Sequence, residues 1–286
     1  MAITTMNTTT GANFIPEVWS DGVIEAAESL LVAANVCNRA YEGDIKDKGD
    51  TVRIPNISNL TANNKTAGTA VTVQAPTEGI TTLSINKHKE VSFYVEDLLA
   101  TQAQAELRSK YTSKAGYALA KAIDTDLLDL YATFSQSAGD GTTAITDDII
   151  LNGMMQLDQA DVPPNERVMI LAPSQKANML KLEKFVGNTY RNGKDAPAVS
   201  GVIGEIYGMD VYVTNQVAVA DSKANNLMMH KDAMSLAIQM EIRLQAQYKL
   251  EYLSWLVVGD VIYGVGELQD DHCVVLNTTN VAPTSA

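Results

Sequence analysis

The chain has 286 residues, with 21 Lys and Arg against 34 Asp and Glu, and its formal net charge of −13 argues against broad binding to nucleic-acid phosphates. Hydrophobic residues make up 46% and charged residues 19%, so the chain can bury a core and is expected to be a folded, acidic, soluble protein. No segment approaches the roughly 18 continuous apolar residues of a membrane span, and no basic stretch followed by an apolar run opens the chain, so neither membrane insertion nor secretion is expected.

In chain order, residues 1–13 are rich in Thr and Asn without periodicity. Phe14, Ile15 and Trp19 then lead into a helical spacing over Val23–Val36. Glu17, Asp21, Glu25 and Glu28 make this arm acidic, since the first basic residue of the chain is Arg39. From Tyr41 the pattern changes to period-two alternation in Thr51–Ile54, Ile80–Ile85 and Val91–Val95, the signature of half-exposed strands. The stretch Ser58–Pro76 between them is polar and nearly free of bulky apolar side chains. Two strands joined by such a tip have no core of their own, which makes sense if the tip lies on a neighbouring subunit.

The longest helical signal runs from Ala103 to Phe134, a helix on the order of 48 Å. Within it Arg108, Lys110, Lys114 and Lys121 precede Asp124, Asp126 and Asp129, the reverse of what the helix macrodipole favours. The block Ser135–Thr143 reads as a loop. Beyond it, Asp147–Ala160 reads as a helix, Arg167–Leu171 as a buried strand, Ser174 as the cap of a helix through Leu182, and Gly201–Gly208 and Val211–Val213 as further strands. Helices alternating with short apolar strands predict a mixed α/β region over about 145–230. Glu241–Leu276 is expected to form antiparallel strands that pair with each other beneath the long helix.

This order of parts resembles the major capsid proteins of tailed bacteriophages, the Hong Kong 97-type fold shared with encapsulins. The wording that carries the resemblance is Val162-Pro163-Pro164, Met169-Ile170-Leu171-Ala172-Pro173, Val202–Gly208, Val211–Val213 and the closing Gly259–Val265. The resemblance implies an α+β fold with an N-terminal arm (1–40), an extended β-hairpin loop (41–95), a peripheral domain made of the spine helix and C-terminal strands (96–144 and 233–286), and a mixed α/β axial domain (145–232). It also implies a non-enzymatic coat subunit without a cofactor, assembled in the host cytoplasm into an icosahedral virion shell of pentamers and hexamers. That shell has a portal, leaves room for a cement protein, and encloses double-stranded DNA without sequence-specific binding.

Relatives that fuse a scaffolding segment carry about a hundred residues ahead of the arm, whereas about 40 residues precede the extended loop here, so the resemblance implies a separate scaffolding protein. The acidic run of Glu17, Asp21, Glu25 and Glu28 is either a solvated face or a docking surface for a basic scaffold segment. Phe14 and Trp19 are candidate subunit contacts. Lys114 and Lys121 are candidates to pair with Asp124 and Asp126 of a neighbour, setting register rather than stability. Some relatives join subunits through a Lys and an Asn, and Lys65 with Asn63 and Asn64 in the polar loop supplies those residue types. An isopeptide also needs a carboxylate to take the ammonium proton, which the sequence does not identify.

Other chemistry finds little support. Cys37 and Cys273, the only cysteines, are far apart and read as buried thiols in a reducing compartment. His88, His230 and His272 lack metal-ligand spacing. Gly264-Val265-Gly266 lacks the third glycine and following helix of a dinucleotide loop and is expected to serve a strand-end turn. Two alternatives stay open: an encapsulin-like compartment for protein cargo, and a cytosolic enzyme with its site in 145–232.

Overall fold

The computed structural model describes residues 32–45, 49–57, 60–75, 78–96, 106–182 and 204–281. Two strands, β1 (Thr51–Ile57) and β2 (Glu78–Ser84), form an isolated antiparallel ribbon in which Thr51 faces Ser84 and Ile57 faces Glu78. At its root, Val52 and Ile54 pack with Tyr41 and Ile85 around the buried Ile45, Leu83 and Ala237. Two short helices precede the ribbon, α1 (Ala33–Val36) and α2 (Glu42–Ile45).

The third strand, β3 (Lys87–Glu96), leaves the ribbon and pairs with β11 (Ser254–Glu267), which pairs in turn with β10 (Met234–Lys249). Its alternation explains the departure: Val91 and Phe93 on one face need an apolar cover that the ribbon lacks, and the helix α3 (Glu106–Leu128) provides it, with Phe93 stacked on Tyr111 at 5.9 Å. Ala115, Leu119, Ile123 and Leu127 of α3 share one core with Val257, Val261 and Tyr263 of β11. The described part of the helix covers about 34 Å, residues 103–105 of the expected helix lying outside the described residues. It tightens after Leu128 into a 3-10 turn, Asp129–Ala132, closed by the bond from Thr133 N to Leu130 O, and Ser135 N and Oγ are then captured by Asp270.

A seven-stranded sheet in the order β4-β12-β9-β5-β7-β6, with β8 on β9, is built from β4 (Ser137–Ala138), β5 (Arg167–Leu171), β6 (Glu205–Ile206), β7 (Met209–Val213), β8 (Val219–Ala220), β9 (Lys223–His230) and β12 (Cys273–Thr279). All five residues of β5 are buried, Val168 and Ile170 in the core shared with α3, Met169 and Leu171 in a second core beneath α4 (Asp147–Gln159). The sheet is therefore covered on both faces, as the unbroken apolar run of β5 requires. Thr146 caps α4, its hydroxyl accepting from Ile149 N, with Asp147 and Asp148 in the favoured first turn. The following helix, α5 (Pro173–Met179), starts two residues earlier than expected. Pro173 occupies its first turn and Ala172 is its N-cap, while Ser174 lies inside the helix and bonds Asn280 through its hydroxyl at 2.6 Å.

The last strand departs from the expected pairing. Instead of joining β10 and β11, β12 pairs with β9 and, in parallel, with β4, so residues 273–279 belong to the sheet of the mixed region. The reason is that Cys273 and Val275 fill one core while Val274 and Leu276 fill the other, which only a central, doubly covered strand satisfies. Gly264 and Gly266 are also not turn residues. Both lie within β11, where a Cβ at Gly264 would come within 2.4 Å of Ser84 O, and one at Gly266 within 2.9 Å of Leu83 Cδ1. Their lack of a side chain lets the end of β2 rest on the sheet.

Candidate functional site

The ribbon, the chain emerging from the arm and the sheet β10-β11-β3 meet at a joint centred on Asn38. Its backbone N–H donates to Met234 O, its carbonyl accepts from Leu236 N and from Ser235 Oγ, each at 3.0 Å, and its side-chain Nδ2 donates to Asp232 Oδ1 at 2.6 Å. Asn38 Oδ1 accepts from Ala40 N, and Arg39 forms an ion pair with Glu42 at 2.9 Å. On the ribbon side, Gln239 Nε2 donates to Gly49 O at 2.8 Å and Ile85 N donates to Asp50 O. Clefts of about 450 and 240 Å³ flank this joint, and Asn38 and Asp232 line both.

Just upstream, α1 begins without a capping side chain, because its N-cap residue is Val32. The missing acceptor comes from Asp124 in α3, which is 2% exposed and takes Val32 N at 2.8 Å and Ala34 N at 3.3 Å. Burial raises the Asp124 carboxyl above its ordinary range, against the pull of those N–H groups. Two residues on, Asp126 accepts from Tyr263 Oη at 2.6 Å and holds Lys87 and Lys89 at 3.2 and 3.3 Å. Burial opposes ionisation of Asp126, but the tyrosine hydroxyl and the two lysines outweigh it and keep the carboxyl below its usual range. Both aspartates are thus spent inside the subunit, which removes the expected pairing of Asp124 and Asp126 with a neighbour's Lys114 and Lys121. Those lysines are exposed and make no ion pair among the described residues.

The face of the sheet turned away from α3 carries a second charged group. Arg243 donates through Nε and Nη2 to the two oxygens of Asp260, at 2.8 and 3.0 Å, and His88 Nε2 lies 3.0 Å from Asp260 Oδ2. The bidentate guanidinium holds the Asp260 carboxyl below its usual range.

At the far end of the ribbon, residues 60–73 are exposed throughout. Their order comes from local bonds: Thr61 and Gln74 exchange backbone and amide contacts, and Lys65 Nζ donates to the carbonyls of Thr66 and Thr69. Asn63, Asn64 and Lys65 are together at this tip. Leu60, Val71 and Val73 stand in solvent there, Val73 at 86%. A second apolar tip, at the β10–β11 turn, exposes Leu250, Tyr252 and Leu253 beside Tyr94, whose ring is 5.6 Å from that of Tyr252. Sequence reading passed over it. The available signal was the run Leu250-Glu251-Tyr252-Leu253 where a polar turn is the norm. Phe14, Trp19, Glu17, Asp21, Glu25 and Glu28 lie outside the described residues. Among the described residues no group of three or more His, Cys, Asp or Glu side chains could hold a metal, and no helix is long and apolar enough to cross a membrane.

A family model described as phage capsid protein matches residues 79–272. No curated protein matches the sequence. Among solved structures, a chain of Mycobacterium phage Che8 is similar at 24% identity and a TM-score of 0.74, over 86% of this chain and 90% of that one. The mature capsid of bacteriophage PhiM1 is similar at 14% identity and a TM-score of 0.67, over 85% and 88%. A virus-like particle from Pyrococcus furiosus is similar at 11% identity and a TM-score of 0.61, over 92% and 99%. These likenesses establish a shared α+β fold, the Hong Kong 97 type.

Proposed function

The chain belongs to the phage capsid protein family, and from that premise we propose that it is the major coat subunit whose copies tile the head of a tailed phage as pentamers and hexamers. Membership makes it a structural protein of the virion shell that works by association with its own kind. The finer reading covers closure into an icosahedral head around double-stranded DNA, assembly in the host cytoplasm, and the partners scaffold, portal and cement protein.

The observation that supports it best is the ribbon β1–β2 with its exposed tip 60–75. A two-stranded ribbon is marginal alone, and among the described residues Leu60, Val71 and Val73 are left exposed, with no apolar cover. A neighbouring copy supplies that cover, so order in the tip and closure of the shell come together. The division into arm 1–40, loop 41–95, peripheral parts 96–144 and 233–286 and axial part 145–232 draws support from the three sheets for the ribbon, the β10–β11 pair and the mixed region, but residues 87–95 join the peripheral sheet and residues 137–138 and 273–279 the axial one. Net charge supports containment of DNA without binding it, since −13 per copy repels phosphates. Phe14 and Trp19 as subunit contacts, Lys65 with Asn63 or Asn64 as a covalent junction, and the acidic arm as a scaffold dock remain part of the proposal.

Sedimentation of the purified chain, alone and coexpressed with the phage's own scaffold candidate, tests this reading. Shell-sized species are expected. A compact monomer at every concentration, with or without scaffold, overturns it and favours the enzyme alternative. Shells loaded with a host protein cargo and no packaging partner would favour the compartment alternative.

A further inference from the structure

The joint at Asn38 contains an ionisable group that neither the fold nor the coat reading uses. His230, 5% exposed at the end of β9, caps the short turn Lys231–Ala233, its Nδ1 accepting from Asp232 N at 3.2 Å. A backbone N–H can only donate, so Nδ1 is the accepting nitrogen of the ring in this arrangement. The Asp232 carboxylate faces two ways: Oδ1 takes Asn38 Nδ2 at 2.6 Å, and Oδ2 stands 3.6 Å from His230 Nδ1. Edge-on to His230, with ring centroids 5.6 Å apart, is His272, whose Nδ1 is buried and has no partner among the described residues.

We propose that His230 is a proton switch on the joint between the arm and the extended ribbon: a proton taken from solvent at Nδ1 draws the Asp232 carboxylate off Asn38 and loosens the joint. The protonated nitrogen can no longer accept from Asp232 N and becomes a donor, for which Asp232 Oδ2 is the nearest anion. Closing the 3.6 Å gap to Oδ2 turns the carboxylate and draws Oδ1 away from Asn38 Nδ2, and the flanking clefts of about 450 and 240 Å³ give the Asn38 side chain room to leave.

The other charged groups around His230 have partners. Arg167, its cross-strand neighbour, is held by Asp158 at 2.7 Å and by the carbonyls of Val162 and Pro163. Lys231 reaches Glu166 at 3.6 Å, Asp270 holds Ser135, Asp271 faces Gln136, and Arg39 holds Glu42. His272 resists a second proton, because burial and the nearby His230 both lower its tendency to charge, against the opposing pull of Asp232 and Asp271. Of the two rings, His230 is the one that faces the carboxylate holding Asn38.

The test is hydrogen exchange on the full-length chain from about pH 7.5 to about pH 5.5, corrected for the intrinsic rate. It needs no assembled shell, so its outcome is independent of the coat reading. Protection of the Asn38, Ala40 and Leu236 amides is expected to fall by roughly tenfold over that range, the size of losing one hydrogen bond to a charged group, while Met228 and Val275 in the seven-stranded sheet stay protected. His230→Asn keeps an acceptor oxygen at the position of Nδ1 but takes no proton, and should give a flat profile with the high-pH protection retained. Unchanged protection in the parent chain, the same loss in His230→Asn, or a parallel loss at Met228 and Val275 each overturns the proposal.

Discussion

Asp124, near the C-terminal end of the long helix, accepts the backbone N–H of Val32 at 2.8 Å from a point 92 residues away in sequence. It provides the helix cap that Val32 cannot, and so fixes where the arm enters the subunit. Asp124→Ala leaves the buried Ala34 N–H and the half-buried Val32 N–H without this acceptor and should cost about 2–4 kcal/mol. Asp124→Asn keeps one acceptor oxygen and should cost less. Denaturant unfolding of the two variants, with limited proteolysis near residue 32, checks the order.

The contact between Gly264 and Ser84 O sets how the ribbon leaves the sheet. A methyl at Gly264 meets a backbone carbonyl at 2.4 Å, which no side-chain rotation relieves. Gly264→Ala should destabilise the subunit by about 1–3 kcal/mol and reduce shell closure more than that loss explains. Gly204→Ala serves as a control for added methyl volume, since nothing lies within 4 Å of its Cβ, although its φ of +68° adds strain of its own. Thermal melts and particle yield of both variants separate the two effects.

Exposed apolar tips predict the opposite pattern. Val71→Ser with Val73→Ser, or Leu250→Ser with Leu253→Ser, should change subunit stability by less than about 0.5 kcal/mol and lower assembly at least tenfold. Equal assembly by the variants and the parent would remove these tips from the interface.

Acid stability has a sign fixed by Asp260. Its carboxyl is held below the ordinary value, first by the Arg243 guanidinium and then, against burial, by His88. The stabilisation is therefore complete above the unfolded-state value of about 3.9 and is lost as pH falls below it. Asp126, lowered in the folded state as well, adds to the same loss. Arg243→Gln should flatten the fall in stability below about pH 4, measured by denaturant unfolding across that range.

Much of the fold was legible because periodicity reports burial directly. The alternation of Thr51–Ile54 and the unbroken run Arg167–Leu171 each specify one kind of strand, and β1 and β5 are those strands. The pairing of β12 was not legible. Cys273–Leu276 is apolar on both faces, and such a run states that it is doubly covered without stating by which sheet. Charged residues misled for a related reason. An aspartate on a polar helix face reads as solvated, and only the uncapped Val32 meeting Asp124 in space shows otherwise. The joint at Asn38 was invisible for the same cause, since Asp232 lies 194 residues away from it in sequence.

The central claim is that copies of this subunit close into a shell in which each ribbon tip is covered by a neighbour. Electron cryomicroscopy of particles from the purified, coexpressed chain tests it most directly. The account predicts closed shells in which Leu60, Val71 and Val73 are buried against an adjacent copy. Closed shells with those three side chains still in solvent, or no shells at all, would contradict it.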